Sequence, residues 1–215
     1  MLLLMRHLES TKNTCKQFSS VDNCEGLTSN GQVNGYNIAV SIENFVKTHN
    51  YTVNKIYCAN STRALETAKI IADRLEVGIC AFNELLSNNS GVLRGKSETE
   101  ACEMNPAFIK QLQLYRAGIF SSYDFVQVIN REDKHCFEKR VNNCLDKILN
   151  NDPSTLKIVV LHHSSLTAVI IKYARKFYNY PKTHYGHVAC ELGNMYLISD
   201  EEIILCNTPA SELRL

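Results

Sequence analysis

Short runs of apolar residues alternate along this chain with longer segments in which apolar residues return every three or four positions. The first run, residues 1–5, has the length and composition of a strand that is buried on both faces. Two further runs, at 55–59 and 156–161, predict strands of the same kind. Near the end of the chain, segments 194–199 and 202–206 predict two more strands, joined by a tight acidic turn.

The segments between these strands carry the spacing of amphipathic helices. Helices are predicted over residues 28–48, 61–76, 132–150 and 164–178. The helix at 132–150 has the clearest pattern, because its apolar residues form a single stripe.

The starts of two helices are predicted from capping residues. Ser29 with Gln32 three positions later fits a capping box at the start of the first helix. Ser61 or Thr62 is expected to cap the second. In the first helix, the apolar residues at roughly helical spacing are Val33, Tyr36, Val40, Phe45 and Val46.

Alternating strands and helices predict an α/β fold whose mainly parallel sheet has helices on both faces. The segment 83–131 departs from this alternation. Its first part, 83–97, is rich in Asn, Ser and Gly and predicts a loop, and residues 99–120 look helical and then irregular, with breaks at Pro106 and Gly118. We expect 83–131 to be an insertion that folds as a cap over the carboxyl edge of the sheet.

The composition fits one domain over residues 1–215. The chain is 45% hydrophobic, which suits a sizeable core, and its net charge of +1 is unlike the basic footprint of a nucleic-acid binder. No apolar run is long enough to span a bilayer, so no membrane partner is expected. The first run lacks the basic lead and the cleavage site of a signal peptide, and we interpret it as a strand.

Nine cysteines are scattered over the chain, an odd number, and none form a Cys-x-x-Cys pair. This distribution argues against a secreted disulfide framework and against a structural zinc site. We expect most of them to be small buried residues of a cytoplasmic protein. Cys58 lies just before Arg63, and packing is again the favoured interpretation.

Charged and nucleophilic residues follow three of the predicted strands. Arg6 and His7 end the first, Arg63 follows the second, and His162 and His163 end the third. The carboxyl ends of parallel strands meet at one edge, where open α/β folds bind ligands. Arginine binds phosphate by paired hydrogen bonds, and histidine can be a nucleophile. Convergence of two arginines and two histidines there would make a phosphoryl-transfer site.

On the basis of these residues, the chain resembles the histidine phosphatase superfamily, the phosphoglycerate-mutase-like proteins. The resemblance covers nearly the whole chain, and its first and third motifs, together and in order, are specific. The matching positions are Arg6, His7, Glu9, Ser10 and Asn13 of the opening motif, then Leu27, Thr28 and Gly31, then Arg63, Ala64, Thr67 and Ala68, then Gly91 and Gly95, then Glu132, Arg140 and Val141, and finally His162.

Four positions depart from the family pattern. Leu8 replaces the glycine after the first histidine, and Leu161 replaces the serine before the second. Residues 34–35 are Asn-Gly where Gln-Ala is usual. In the family, a glutamate serves as the general acid, and its position falls on Ser87 in this chain. Glu84, about one helical turn earlier in the sequence, is the candidate that could supply the carboxyl group instead.

The resemblance implies roles for the candidate residues. His7 would be the nucleophile that forms a phosphohistidine. Arg6, Arg63 and His162 would hold the phosphoryl oxygens, and Asn13 would add a donor. The family's spacing favours His162 over His163 as the second histidine. No cofactor and no metal are implied.

The implied function is a metal-independent phosphatase that acts on a small phosphorylated substrate. Two alternatives stay open: a phosphoglycerate-type mutase, and a non-catalytic protein of the same fold that binds a phospho-ligand. The short chain and the irregular loop at 83–97 favour the phosphatase. Neither the substrate nor the oligomeric state follows from the sequence.

Overall fold

The computed structural model describes residues 1–15, 17–18, 26–116, 128–152, 154–178 and 190–206. In chain order, the elements are β1 (Leu2–Arg6), α1 (Thr11–Cys15), α2 (Ser29–Thr48), β2 (Lys55–Ala59), α3 (Thr62–Leu75), β3 (Gly78–Phe82), two 3-10 turns (Asn83–Leu85 and Gly91–Leu93), α4 (Glu98–Met104), α5 (Pro106–Arg116), α6 (Lys134–Asn150), β4 (Lys157–Leu161), α7 (His163–Tyr178), β5 (Met195–Ile198) and β6 (Ile203–Cys206).

The described strands form one sheet in the order β3-β2-β4-β1-β5-β6. Strands β1 to β4 pair in parallel, whereas β5 pairs antiparallel with both β1 and β6. The prediction of an α/β fold with a mainly parallel sheet is confirmed. The order places the carboxyl ends of β2, β4 and β1 next to each other, and the candidate residues follow these three strands.

The central strands are buried as their apolar runs predict. Leu3, Leu4 and Met5 of β1 have no exposed surface, and neither have Val159 and Val160 of β4. A strand with helices over both faces needs apolar side chains on both, which explains why these runs are continuous rather than alternating. The rigid centre of the sheet therefore lies directly beneath the candidate site.

Strand β3 was not predicted from the sequence. It forms the edge of the sheet, and its side chains are only partly covered, with Ile79 among the exposed apolar residues. Glu76 ends α3 in the left-handed conformation, at φ 56°, and its N–H bonds to Ala72 O. A short strand that follows a helix so closely leaves no separate hydrophobic signal.

Helix α2 forms where predicted, but its cap and its buried face differ from the prediction. Thr28, not Ser29, is the N-cap, and its hydroxyl accepts from Gly31 N at 2.9 Å. The apolar residues Val33, Tyr36 and Val40 face outward, with Tyr36 65% exposed. The face that packs on the protein is formed by Gly31, Gly35, Ile38, Ala39, Ile42 and Phe45.

The two later helices agree with the sequence pattern. Asp133 caps α6 by accepting from Cys136 N at 3.0 Å, and the predicted stripe that includes Phe137 and Val141 is buried. Helix α7 begins at His163, directly after β4. Its N-terminus, like that of α3 after β2, therefore lies at the carboxyl edge of the sheet.

The described part of segment 83–131 contains α4 and α5, with Pro106 at the start of α5 as the predicted break. Residues 117–127, which include Gly118, lie outside the described residues. The segment has its own small apolar cluster, which includes Leu93, Phe108 and Val128. Phe18 packs against this cluster, and its N–H bonds to Lys96 O at 2.9 Å. The chain just after α1 is thereby tied to this segment.

Two further findings concern the predictions made for membrane spans and for the cysteines. In the described ranges, no helix is long and apolar enough to cross a membrane. The described cysteine side chains are free thiols. Burial raises the pKa of Cys58 to about 12, so this thiol stays protonated and acts as a packing residue.

Candidate active site

Three strand ends bring the predicted residues to one point. His7 follows β1, Arg63 lies in the first turn of α3 after β2, and His162 follows β4. Arg63 Nε lies 3.1 Å from His7 Nε2, and its Nη2 lies 3.1 Å from His162 Nδ1. The two imidazole centroids are 5.1 Å apart. One guanidinium thus contacts both histidines.

The ring of His7 is held in a single tautomer. Its Nδ1 lies 2.8 Å from Leu8 O, and a carbonyl oxygen only accepts, so Nδ1 carries the proton. Its Nε2 faces Arg63 Nε, which only donates, so Nε2 carries a lone pair. The backbone N–H of His7 bonds to Leu161 O at 2.9 Å and fixes the loop to β4. A neutral ring whose Nε2 holds a lone pair is what a nucleophile requires.

His162, and not its neighbour His163, lies in this cluster. His162 is 3% exposed, whereas His163 is exposed at the first position of α7. The backbone N–H of His162 donates to Ser165 Oγ at 3.1 Å, and its Nε2 lies 3.1 Å from Ser61 Oγ. The ring is therefore fixed on both sides, by Arg63 and by Ser61.

Burial and positive charge keep both histidines neutral. Burial lowers the pKa of His7 well below its usual value, and Arg63, Arg6 and Lys12 lower it further. Burial also lowers the pKa of His162, with additional effects from His7 and from the same three cations. A buried site rich in positive charge and holding neutral histidines is suited to bind an anion.

Arg6 lies beside the cluster at the end of β1. Its Nη1 donates to Cys190 O, while its buried Nε has no hydrogen-bond partner among the described residues. Burial lowers the pKa of this guanidinium, and the nearby Arg63 adds to the effect. A buried donor without a partner costs free energy, and a phosphoryl oxygen would satisfy it.

Thr67 connects the loop after β1 to the helix that carries Arg63. Its hydroxyl donates to Arg63 O at 2.7 Å and accepts from Leu8 N at 3.1 Å. The four-residue spacing from Arg63 to Thr67 puts the hydroxyl against the carbonyl one turn earlier. This contact explains why the motif needs a threonine at that position.

Comparison with known proteins shows the family to which the chain belongs. The sequence model of the histidine phosphatase superfamily (branch 1) matches residues 2–198. The chain belongs to this superfamily. No curated protein matches it at a significant level.

Solved structures of the superfamily share the fold. YhfR of Bacillus stearothermophilus has a TM-score of 0.75 at 18% identity, covering 95% of this chain and 94% of that one. Phosphoglycerate mutase from Bacillus anthracis has a TM-score of 0.68 at 19% identity, covering 96% and 91%. The alpha-ribazole phosphatase of Shigella flexneri has a TM-score of 0.67 at 15% identity, covering 95% and 94%.

The structure explains two departures from the superfamily pattern together. Leu8, in place of a glycine, turns into the core and is almost fully buried. A Cβ added to Gly35, where alanine is usual, would lie 2.6 Å from Leu8 Cδ1 and 2.8 Å from Ile70 Cδ1. The leucine thus occupies space that the missing alanine methyl leaves open, and its side chain belongs to the main apolar core.

This compensation predicts a strong coupling between the two positions. We expect Gly35→Ala to lower the free energy of unfolding by about 1–3 kcal/mol, because the methyl group overpacks against Leu8. In a Leu8→Ala background only the contact with Ile70 Cδ1 remains, so the same change should cost less than in wild type. The preference of a helix for alanine over glycine, about 1 kcal/mol, offsets part of that remaining cost. Urea denaturation of the four proteins measures the coupling, and additive effects would contradict this account.

Asn13 supports the loop that follows His7. Its Oδ1 accepts from Ser10 N at 3.0 Å and from Ser10 Oγ at 2.6 Å. The backbone is close-packed at this point, because a Cβ on Gly31 would lie 2.2 Å from Glu9 O. The amide group of Asn13 as a donor to phosphate stays a prediction.

An ion pair fixes the loop that should carry the general acid. Arg140 bonds to Glu132 at 2.6 and 2.8 Å. It also donates to the carbonyl oxygens of Glu84, Leu86 and Ser87. The loop meets the start of α7, where Asn88 N donates to Ser164 Oγ at 3.2 Å. Arg140 therefore holds the backbone of Ser87, and the next residue contacts the first turn of α7, which follows His162.

Glu84 lies on the outer side of this loop. Its side chain is exposed, and its charge acts on Cys144 of α6. The described contacts do not join its carboxylate to His7, Arg63 or His162. Its role as general acid stays a prediction.

Ser61 and Lys12 are residues of the site that the sequence did not reveal. Lys12 is only 9% exposed, and its charge acts on both histidines. Lysine and serine are common on protein surfaces, so neither gives a signal without the fold. Among the described residues, no group of three or more His, Cys, Asp or Glu could hold a metal ion.

Proposed function

We propose that the protein is a phosphatase that hydrolyses phosphomonoesters through a phosphohistidine on His7. The observation that carries the proposal is the state of this ring: Nε2 holds a lone pair inside a buried, positively charged pocket, while Leu8 O fixes the proton on Nδ1. A neutral imidazole in that tautomer can attack phosphorus without first losing a proton.

The reaction would proceed in two displacements. In the first, His7 Nε2 forms a bond to phosphorus while the bond from phosphorus to the ester oxygen breaks. In the second, water attacks the phosphohistidine, the P–N bond breaks, and inorganic phosphate leaves with His7 restored. Arg6, Arg63 and His162 would hold the phosphoryl oxygens in both steps, since such reactions depend mainly on positioning and on charge stabilisation.

The leaving group decides how much a general acid contributes. An alkoxide needs a proton as it departs, and a positioned acid contributes roughly a hundredfold or more. Glu84 is the candidate from the sequence, and Ser87 stands at the superfamily position. We propose that substrates with good leaving groups need no such acid and report on His7 alone.

The related structures support phosphatase or mutase chemistry, since an alpha-ribazole phosphatase and a phosphoglycerate mutase share this fold. Three departures from the family pattern argue for a non-catalytic binding protein: Leu8, Leu161 and the missing glutamate. Of these, the Leu8 side chain lies in the core. A small phosphorylated molecule remains the proposed substrate class.

The proposal is tested by hydrolysis of p-nitrophenyl phosphate in the presence of a metal chelator. Wild type is expected to turn over this substrate, which has a good leaving group. An alkyl phosphate then tests the acid: if Glu84 is the proton donor, Glu84→Gln lowers the rate with the alkyl phosphate about a hundredfold and leaves p-nitrophenyl phosphate much less affected. Binding of inorganic phosphate without any turnover would refute the phosphatase and favour a binding protein.

A further inference from the structure

The outer ring nitrogens of the two histidines, those that do not face Arg63, have partners of different kinds. His7 Nδ1 bonds to the carbonyl of Leu8, a group that only accepts. His162 Nε2 bonds to the hydroxyl of Ser61, a group that both donates and accepts. A carbonyl locks one tautomer, whereas a hydroxyl accommodates either.

Arg63 fixes the tautomer of His162 in the free protein. Its Nη2 donates toward Nδ1 at 3.1 Å, so Nδ1 holds the lone pair. In the neutral ring the proton is then on Nε2, and this N–H donates to Ser61 Oγ at 3.1 Å. The free site therefore presents a lone pair of His162 toward the position that a phosphoryl group would occupy.

A bound phosphoryl group requires the opposite arrangement. Its oxygens accept hydrogen bonds, so Nδ1 has to carry a proton in order to hold one of them. The ring either becomes an imidazolium or stays neutral and moves its proton from Nε2 to Nδ1. In the free protein, burial and the charges of His7, Arg63, Arg6 and Lys12 keep the pKa of His162 low, so the ring is neutral before a phosphoryl group binds.

The Ser61 hydroxyl is available to bond to His162 in either tautomer because it does not cap helix α3. It occupies the N-cap position of α3, yet its hydroxyl makes no capping hydrogen bond, and the side chain is 8% exposed. A capping serine contributes about 1 kcal/mol to a helix. Here the hydroxyl is directed to His162 instead, at a distance of 3.1 Å.

We propose that Ser61 is a positioning residue that lets His162 change from acceptor to donor at Nδ1 when the phosphoryl group binds. Nδ1 takes one proton from water and Nε2 releases one to water, so the ring stays neutral. The Ser61 O–H rotates and donates to Nε2. Arg63 Nη2 then donates to a phosphoryl oxygen rather than to the ring. The inference rests on the proposed function, because it describes how the same pocket receives the phosphoryl group.

The direct test is the nitrogen NMR spectrum of wild-type protein labelled with ¹⁵N-histidine, without and with saturating inorganic phosphate. The His162 signals are assigned from a His162→Gln spectrum. We expect Nε2 to be protonated in the free protein and Nδ1 in the complex, with the ring neutral in both. A complex in which both nitrogens are protonated, or in which the tautomer is unchanged, overturns the inference.

A variant series tests the role of the hydroxyl at a pH where inorganic phosphate is fully a dianion. Without the hydroxyl, no O–H can donate to Nε2 in the complex, so Ser61→Ala should bind phosphate up to about tenfold more weakly than wild type. Ser61→Thr keeps a hydroxyl and should bind phosphate as tightly as wild type. Ser41→Ala, which removes an Oγ bonded to Asn37 O on α2, is the matched control. Equal phosphate affinities of wild type and Ser61→Ala overturn the inference.

The failures of the two proposals are distinguishable. If wild type does not hydrolyse p-nitrophenyl phosphate, the proposed function fails. If it hydrolyses this substrate and phosphate binds without the change of tautomer, only the role of Ser61 fails. The NMR test needs no Ser61 variant, so it decides the matter even if Ser61→Ala does not fold.

Discussion

Replacing His7 by alanine is expected to lower kcat/KM for p-nitrophenyl phosphate by roughly four to six orders of magnitude, as for other enzymes that lose their nucleophile. The pocket would still bind the phosphoryl group through Arg6 and Arg63. It would lack the Nε2 lone pair that faces Arg63 Nε at 3.1 Å, and water would have to attack without a covalent intermediate. This variant should therefore still bind inorganic phosphate although it has lost turnover.

The control for this variant is a histidine outside the site. His49 follows α2 and packs against Phe45 and Tyr51. We expect His49→Ala to change stability and to keep wild-type turnover of the folded protein. A His7→Ala protein that retains more than about a hundredth of the wild-type rate would contradict the role of His7.

The pH dependence of the same reaction has a predictable sign. Attack requires neutral His7, and burial with the charge of Arg63 lowers the pKa of this ring well below 6.5. Protonation of the free enzyme's nucleophile should thus remove activity only as the pH falls through that lowered pKa. After correction for ionisation of the substrate, kcat/KM should be level near neutral pH and across the usual histidine pKa. A loss of activity centred at that usual value would show that His7 is not held neutral.

Replacement of Arg63 by lysine should lower kcat/KM by about three orders of magnitude, and replacement by alanine by up to about five, the range for an arginine at a transferring phosphoryl group. The guanidinium contacts His7 through Nε and His162 through Nη2. A lysine has a single charged nitrogen and cannot keep both contacts. The effect of lysine should therefore remain large even though the charge is preserved.

Arg74 provides the matched control on the same helix. It lies near the C-terminal end of α3, half exposed, and pairs with Glu43 of α2. We expect Arg74→Lys to leave kcat/KM unchanged and the unfolding free energy within about 0.5 kcal/mol of wild type. If Arg63→Lys were as active as Arg74→Lys, the fork that joins the two histidines would not be part of the mechanism.

The sequence predicts the centre of the fold and the meeting of the site residues because each depends on strong local patterns. Continuous apolar runs mark β1 and β4, since both faces of these strands are covered. Polar residues at the ends of such runs then meet at one edge by the topology of a parallel sheet. The pairing of β1 with β4, and of β4 with β2, brings His7, His162 and Arg63 together.

Other features depend on contacts between distant segments and leave no local signal. The buried face of α2 contains Gly31 and Gly35, whose small size lets the chain approach Glu9 and Leu8. Glycine carries no hydrophobic side chain, so the periodicity included Val33, Tyr36 and Val40 of the exposed face together with Phe45, which is buried. The compensation between Leu8 and Gly35 is visible only when both are placed in space.

Ser61 shows the same limit at the site itself. The sequence marks it as a candidate cap for α3, and it does occupy that position. Its hydroxyl is directed instead to His162, which lies a hundred and one residues further along the chain. Only the juxtaposition of β2 and β4 creates that contact.

The most direct test of the account is to trap the intermediate. Wild type, His7→Ala and His49→Ala are mixed with ³²P-labelled phosphomonoester, quenched in alkali within a single turnover, and digested to map the label. The account predicts a phosphoryl group that survives alkali, is lost in acid, and lies on the peptide with His7 in wild type and His49→Ala only. A turning-over enzyme with no label, or with label on another residue, would contradict the phosphohistidine mechanism.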